Sequence, residues 1–217
     1  MVSLKLLIYL SIGTLVMLLP ILMQVKLYGI KVWKSIPIAI VLTISGTIGT
    51  YIWFYIENHW IGGTSFYGAV FVVPVIFIGV AKVLKLPYWK LLDISAPAEC
   101  AMLMVMKIQC LISGCCSGME LFITEAGTKV FFPSQIMEFL NAFIIMVILL
   151  LLSRKGKHKD KIYPLYMIVY GVTRFILNIF RESKAVFLLG MTAGAMWSIC
   201  SLMIGTILLL KINHAER

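Results

Sequence analysis

The sequence Lys107-Ile-Gln-Cys-Leu-Ile-Ser-Gly-Cys-Cys-Ser-Gly118 ends a long apolar segment, yet it contains a lysine, a glutamine, three cysteines and two glycines. Lipid offers these polar groups no hydrogen-bonding partners, so a stretch of this kind at the end of a membrane helix must face protein or water. We therefore expect this stretch to end a membrane-spanning helix and to form one wall of a site.

The composition of the whole chain predicts an all-α integral membrane protein. Hydrophobic residues make up 61% of the 217 residues, and the mean hydropathy is +1.01. A membrane helix needs roughly 20 apolar residues, so the chain accommodates about seven spans in a single polytopic domain over residues 1–217. The apolar stretches lie at about Leu4–Gln24, Ile36–Tyr55, Phe66–Val83, Leu92–Leu111, Pro133–Leu152, Tyr163–Phe180 and Leu188–Ile212.

The charges predict the orientation of these spans. The net charge of +10 is concentrated in alternate loops, and the most basic of them runs from Ser153 to Lys161. Basic loops of membrane proteins stay in the cytoplasm, which predicts an N-terminus outside, a cytoplasmic C-terminus and a multi-pass protein of the bacterial cytoplasmic membrane. The basic residues are thus topogenic, and nucleic acid is not an expected partner.

This topology brings four polar motifs to the outer face. They are residues 107–118, the segment Gly62-Gly-Thr-Ser-Phe-Tyr-Gly68, the segment Phe132-Pro-Ser-Gln135, and the end of the sixth helix at residues 170–181. The first segment of the chain has no convincing cleavage site after its apolar run, so it predicts a retained helix. The convergence of the four motifs indicates a binding or catalytic site.

The sixth helix supplies the clearest candidate for anion binding. Tyr170, Arg174, Asn178 and Arg181 follow one another at spacings that place them on one helix face. A charged arginine inside a span is costly and needs a partner or a polar cavity. Arginine binds phosphate with two hydrogen bonds, so we interpret Arg174 as a clamp for a lipid phosphate. The alternative is that these side chains reach to the membrane interface, and for Arg181 this alternative has equal weight.

The fourth helix adds Lys107, either as a second cation for an anionic headgroup or as a lysine that reaches the interface. Cys110, Cys115 and Cys116 are packed small residues on one interpretation and reactive thiolates beside a lysine on the other. The spacing Cys-x4-Cys-Cys without a nearby histidine is weak as a zinc site. Accordingly, neither a metal nor a cofactor is predicted. An odd number of cysteines, five in all, also argues against a disulfide framework.

One acidic residue completes the set of candidates. Glu138 lies one turn inside the fifth helix, where it is expected to act as a base or as the counter-ion of Arg174. Gly46-Thr-Ile-Gly49 is typical of a helix-packing patch of small residues.

These motifs, taken together, resemble the bacterial prolipoprotein diacylglyceryl transferases. The resemblance rests on five motifs in the same order and spacing: Gly46-Thr-Ile-Gly49, Gly62–Gly68, the polar end of the fourth helix, Phe132-Pro-Ser-Gln-Ile-Met-Glu138 and Tyr170-Gly-x-x-Arg174 with Phe180-Arg181-Glu182. It covers about residues 40–185. The family has seven helices and an outer N-terminus, in agreement with the loop charges.

The resemblance implies an enzyme that moves the diacylglyceryl group of phosphatidylglycerol onto a prolipoprotein cysteine outside the membrane. Arg174 matches the family's clamp arginine, and Tyr170, Gly118, Gln135 and Glu138 also match family positions. Gly68 and Gly114 are further expected substrate-binding positions. The expected partners are an anionic phospholipid, an acceptor such as a prolipoprotein, and the bilayer.

The departures from the family pattern lie mainly among the acid–base residues. The family's histidine at the start of the third helix is Tyr67 here, and its arginine at the end of the fourth helix is Lys107. Cys110 and Cys115 replace an asparagine and a glutamate, and Asn178 replaces a glutamate. Tyrosine in place of histidine removes a group that titrates near neutral pH.

We therefore predict a divergent transferase in which a cysteine thiolate acts as the base or as a covalent nucleophile in place of the histidine. Two alternatives remain open at this stage. One is a lipid-binding pseudoenzyme or partner subunit of the same fold. The other is a redox protein that uses the vicinal thiols.

Overall fold

The computed structural model describes residues 4–59, 62–123, 128–156, 158–181, 187–188 and 190–215. Within them lie seven α-helices, a short 3-10 helix at Val32–Lys34 and one β-hairpin. The helices are α1 Leu4–Leu27, α2 Ser35–Asn58, α3 Tyr67–Leu84, α4 Tyr88–Ser113, α5 Ser134–Arg154, α6 Ile162–Ile179 and α7 Ala193–Ala215. The predicted helical membrane fold is thus confirmed, while the orientation of the termini stays a prediction.

Two boundaries differ from the sequence prediction. The seventh helix begins at Ala193 instead of Leu188, since Leu188 and Met191 form a small antiparallel bridge before it. The connection from α4 to α5 contains two strands, β1 at Glu120–Ile123 and β2 at Lys129–Phe131, which pair antiparallel and were not predicted. Strand signals of three or four residues are too short to separate from loop by periodicity.

The fourth helix is the centre of the bundle. It packs against α1, α3, α5 and α6, and every residue from Leu91 to Ala101 is buried. Six helices within the described residues are long and apolar enough to cross a membrane, and α4 is not among them. Because protein surrounds α4, it tolerates charged side chains that lipid would exclude.

Close helix contacts depend on small residues, as the glycines of α2 predicted. Gly49 of α2 and Gly68 of α3 touch backbone to backbone, and a Cβ on Gly68 would overlap the carbonyl oxygen of Gly49. Gly171 and Gly205 make the corresponding contacts between α6 and α7. These contacts hold α2 against α3 and α6 against α7.

Candidate active site

A buried ion cluster lies where the ends of α4, α5 and α6 meet. Glu138 Oε2 is 2.5 Å from Lys107 Nζ, and Glu138 Oε1 is 2.6 Å from Arg174 NH1. The side chains of Glu138, Arg174 and Lys107 are 5%, 9% and 11% exposed. Each charge would be costly alone at this depth, and the three offset one another while leaving a net positive charge.

Arg174 retains donor capacity despite this pairing. Its guanidinium carries five N–H donors, and the 2.6 Å contact with Glu138 is made by one nitrogen, NH1. Tyr170, one turn earlier, is buried and stacks on Tyr166 with ring centroids 5.8 Å apart. A guanidinium with N–H groups besides those that face Glu138 is suited to binding an anion.

The predicted alignment of four residues on one face of the sixth helix is wrong for Arg181. Asn178 lies one turn after Arg174 within α6 and donates from Nδ2 to Thr192 Oγ1 at 2.6 Å, near the start of α7. Because α6 ends at Ile179, Arg181 lies beyond the helix, where it pairs with Gly118 in an isolated β-bridge. The chain leaves the helix before reaching Arg181, and helical spacing no longer applies there.

Three cysteine thiols lie together next to this cluster. The Sγ atoms of Cys110, Cys115 and Cys116 all lie within 4.8 Å of one another. Cys115 and Cys116 are exposed, Cys110 is half-buried, and all three are free. The sequence did not predict that Cys110, on the helix, would meet the two cysteines of the loop.

The chain reverses at the end of α4 to bring the thiols together. Gly114 ends the helix with φ +66°, and Cys116 has φ +61°, a region uncommon for a residue with a side chain. Gln135 Nε2 donates to the Cys115 carbonyl and Ser134 Oγ to the Cys116 carbonyl, each at 2.7 Å. The first turn of α5 therefore fixes the cysteine loop, which gives Gln135 a positioning role.

The surroundings of Cys116 favour its thiolate. A hydrogen bond from Cys110 lowers the pKa of the Cys116 thiol below its usual range, and the positive charges of Lys107 and Arg181 lower it further. Burial acts in the opposite direction. The net effect is a thiol that ionises more readily than an ordinary cysteine.

A cavity of about 470 Å³ opens beside the thiols and extends into the bundle between α1, α2 and α4. Arg181 and the three cysteines line its mouth, and its buried lining is mostly apolar, with Met17 and Leu42, but includes the carboxyl of Glu99. A charged mouth over an apolar interior matches an amphiphilic ligand.

Three further residues predicted for the site, Tyr67, Gly68 and Gly118, make contacts that hold parts of the fold together. Tyr67 is buried, and its hydroxyl hydrogen-bonds with Ser198 Oγ of α7 at 2.7 Å. Gly68 contacts α2, as described above. Gly118 is pressed against the backbone of Phe132, which holds the hairpin against the site.

Three acidic residues were missed by the sequence reasoning. Glu57 accepts a hydrogen bond from Ser65 Oγ at 2.7 Å, near the end of α2. Glu99 is buried in the middle of α4, and its Oε2 atom has no hydrogen-bond partner among the described residues. Asp93 accepts the backbone N–H of Tyr163 at 3.1 Å, near the start of α6. An acidic residue inside an apolar stretch was the signal available for the last two.

The comparisons with known proteins agree on one family. The sequence model of the family described as prolipoprotein diacylglyceryl transferase matches residues 6–211. A phosphatidylglycerol–prolipoprotein diacylglyceryl transferase of Mannheimia succiniciproducens is 31% identical over 143 residues, which are 60% of this chain and 52% of that protein.

Two further relatives bear the same description. The second such enzyme of Clostridium perfringens is 30% identical over 51% of this chain and 46% of its own length. An Acinetobacter baumannii enzyme is 29% identical over 77% of this chain and 71% of its own length. The matched part thus spans about half the length of the first two relatives.

Proposed function

This chain belongs to the prolipoprotein diacylglyceryl transferase family, and we propose that it transfers the diacylglyceryl group of phosphatidylglycerol to an acceptor cysteine thiol. The acceptor class we propose is a prolipoprotein, after the names of the relatives. The predicted topology puts this reaction at the outer face of the bacterial cytoplasmic membrane.

The observation that carries the proposal is the excess of positive charge close to the cavity. Lys107 and Arg174 share a single carboxylate, Glu138. Lys107 acts electrostatically on Cys116, which lines the cavity, and Arg181 lines the cavity itself. A phosphodiester carries one negative charge, and a guanidinium such as that of Arg174 binds its oxygens with paired N–H donors. The apolar interior of the cavity is suited to an acyl chain.

The cations that bind the lipid phosphate also have a role in the reaction, because they stabilise the charge of the leaving group. The acceptor thiolate attacks the glyceryl carbon bonded to the phosphate oxygen, the C–S bond forms, and the C–O bond breaks. The electron pair leaves on the oxygen of glycerol phosphate, whose charge rises as the bond breaks. Donors fixed at that position stabilise the transition state more than the bound lipid.

Two sets of groups are near enough to the cations to take the proton of the acceptor thiol. Glu57 is a carboxylate held by Ser65, and the cysteine cluster lies at the cavity mouth. A covalent cysteine intermediate is chemically less suitable, because a thioether is a poor leaving group for a second transfer. Of the two roles predicted for a cysteine thiolate, we therefore keep the general base as a prediction and set the covalent nucleophile aside.

The experiment expresses the chain in cells depleted of their own transferase and follows growth and lipidation of a reporter lipoprotein. Rescue by the unchanged chain, with loss of rescue in Arg174→Gln, is the expected result. Arg154→Gln is the matched control, because Arg154 is an exposed arginine in the last turn of α5, at the opposite end of that helix. Lack of rescue by a chain that reaches the membrane in normal amounts would reject the prolipoprotein as acceptor.

A second candidate function is a lipid-binding member of the family without turnover. The burial of Tyr67 against Ser198 favours it, because a tyrosine in place of the family's histidine removes the group that titrates near neutral pH. Binding of phosphatidylglycerol that depends on Arg174, in a chain that fails to lipidate the reporter, is the expected result for this candidate.

A further inference from the structure

We propose that Cys110, Cys115 and Cys116 form a binding site for one thiophilic metal ion, with Cu(I) as the best-matched ion. The inference concerns the sulfur cluster alone and does not depend on the transfer reaction. It also departs from the sequence prediction that the chain holds no metal.

The geometry is the first support. Each of the three sulfur atoms lies within 4.8 Å of the other two, so small rotations of the side chains bring all three around one central ion. Cys110 comes from the last turn of α4, whereas Cys115 and Cys116 come from the loop that follows. Ligands from the helix and from the loop that follows it thus meet at one point.

The cluster is also held in place before any ligand binds. Cys115 donates its backbone N–H to the Cys110 carbonyl at 3.1 Å. Ser134 and Gln135 bind the carbonyl oxygens of the two loop cysteines. The left-handed backbone of Cys116 is thus maintained by its neighbours. An ordered loop lowers the entropy that ion binding would otherwise cost.

The donor set selects the class of ion. All three ligands are sulfur, and no histidine or carboxylate belongs to the cluster among the described residues. Thiolates favour soft ions such as Cu(I), while Mg²⁺ and Ca²⁺ require oxygen ligands. The sequence argument against a metal concerned zinc, whose structural sites take four ligands. A three-coordinate monovalent ion removes the need for the fourth.

The charges around the cluster are compatible with this assignment. Three thiolates and one Cu(I) ion sum to two negative charges, and such an excess is costly in a partly buried site. Arg181 and Lys107, the latter shared with Glu138, both act electrostatically on Cys116, so their positive charges offset part of this excess. Because the cysteines line the cavity, the ion would lie at the cavity mouth.

The test uses the full chain, purified in detergent, reduced and kept free of oxygen. Cu(I) is titrated in competition with a chromophoric Cu(I) chelator. One equivalent per chain is expected to resist the chelator. In each of Cys110→Ser, Cys115→Ser and Cys116→Ser, the affinity should fall at least about tenfold, since even removal of a group that only orients a ligand has that effect.

Cys200→Ser serves as the matched control, because Cys200 is a half-buried free cysteine on α7 that is not a member of the cluster. Far-UV circular dichroism and the gel-filtration profile verify that every variant folds. Unchanged affinity in any of the three single variants would overturn the three-thiolate site. Equal losses in Cys200→Ser, or a stable disulfide among the three cysteines in place of Cu(I) binding, would also overturn it.

Discussion

Neutralising Glu138 tests the ion cluster most directly. In Glu138→Gln the side chain keeps its size and loses its charge, so Lys107 and Arg174 face each other without the carboxylate that lies 2.5 and 2.6 Å from them. With side chains only 5–11% exposed, water screens this repulsion poorly. Breaking a buried ion pair by removing one partner costs about 3–5 kcal/mol.

That cost corresponds to a measurable shift of the melting temperature. For domains of about 150–250 residues, 1 kcal/mol lowers Tm by about 2–4 °C, so the expected decrease is about 6–20 °C. The assay is thermal unfolding in detergent, followed by fluorescence of a thiol-independent probe. A scan of the unchanged chain at the same heating rate supplies the reference.

The matched control is Glu120→Gln, which removes the carboxylate of an exposed pair with Lys129. The side chains of that pair are 36% and 58% exposed, and exposed pairs contribute about 0–1 kcal/mol. In the double variant Glu138→Gln/Lys107→Met, one of the two unpaired cations is gone, so part of the lost stability should return. A Tm for Glu138→Gln no lower than that of Glu120→Gln would refute the cluster as a buried, mutually compensating site.

Three further predictions concern helix packing, thiol ionisation and Tyr67. Gly68→Ala should destabilise the chain by about 1–3 kcal/mol, because its Cβ meets the backbone of α2. The control Gly79→Ala has open space around the added Cβ and should be neutral or stabilising. Equal melting temperatures of the two variants would contradict this prediction. Since its pKa is lowered, Cys116 should reach its maximal alkylation rate at a lower pH than an ordinary cysteine. Cys110→Ala, which removes the donated hydrogen bond, should move that profile to higher pH. Mass spectrometry of Cys116 alkylation measures both, and an unchanged profile in Cys110→Ala would contradict this cause. Tyr67→Phe should lower the stability by about 0.5–1.5 kcal/mol, because the hydrogen bond to Ser198 is lost. Lipidation of the reporter should decrease only slightly in this variant. A large loss of lipidation at unchanged Tm would instead indicate a catalytic hydroxyl.

The location of the site at one end of the bundle could be predicted, because a charged side chain inside an apolar segment has a high free energy in lipid. Lys107, Glu138 and Arg174 stand out in the sequence because each is a charge inside an apolar stretch. Alternate spans run in opposite directions, so the C-terminal end of one helix and the N-terminal end of the next lie on the same side of the membrane. The polar ends of these helices are therefore expected together. The structure brings these three side chains together, as that argument predicted for Glu138 and Arg174.

The sequence by itself determined the helical membrane fold, the approximate position of each helix and the end of the bundle that carries the polar residues. Each of these follows from hydrophobicity and charge along the chain, which are local properties. The family membership was also visible in the order of five short motifs, and the family comparison confirmed it.

Only the tertiary structure decided which side chains touch. Spacing along a helix sets depth and relative direction, but the rotation of a helix about its axis depends on its neighbours. That rotation turns Asn178 towards Thr192 and Tyr67 towards Ser198. The path of the loop after Gly114 has no periodic signal at all, and it is this path that places Cys115 and Cys116 against Cys110.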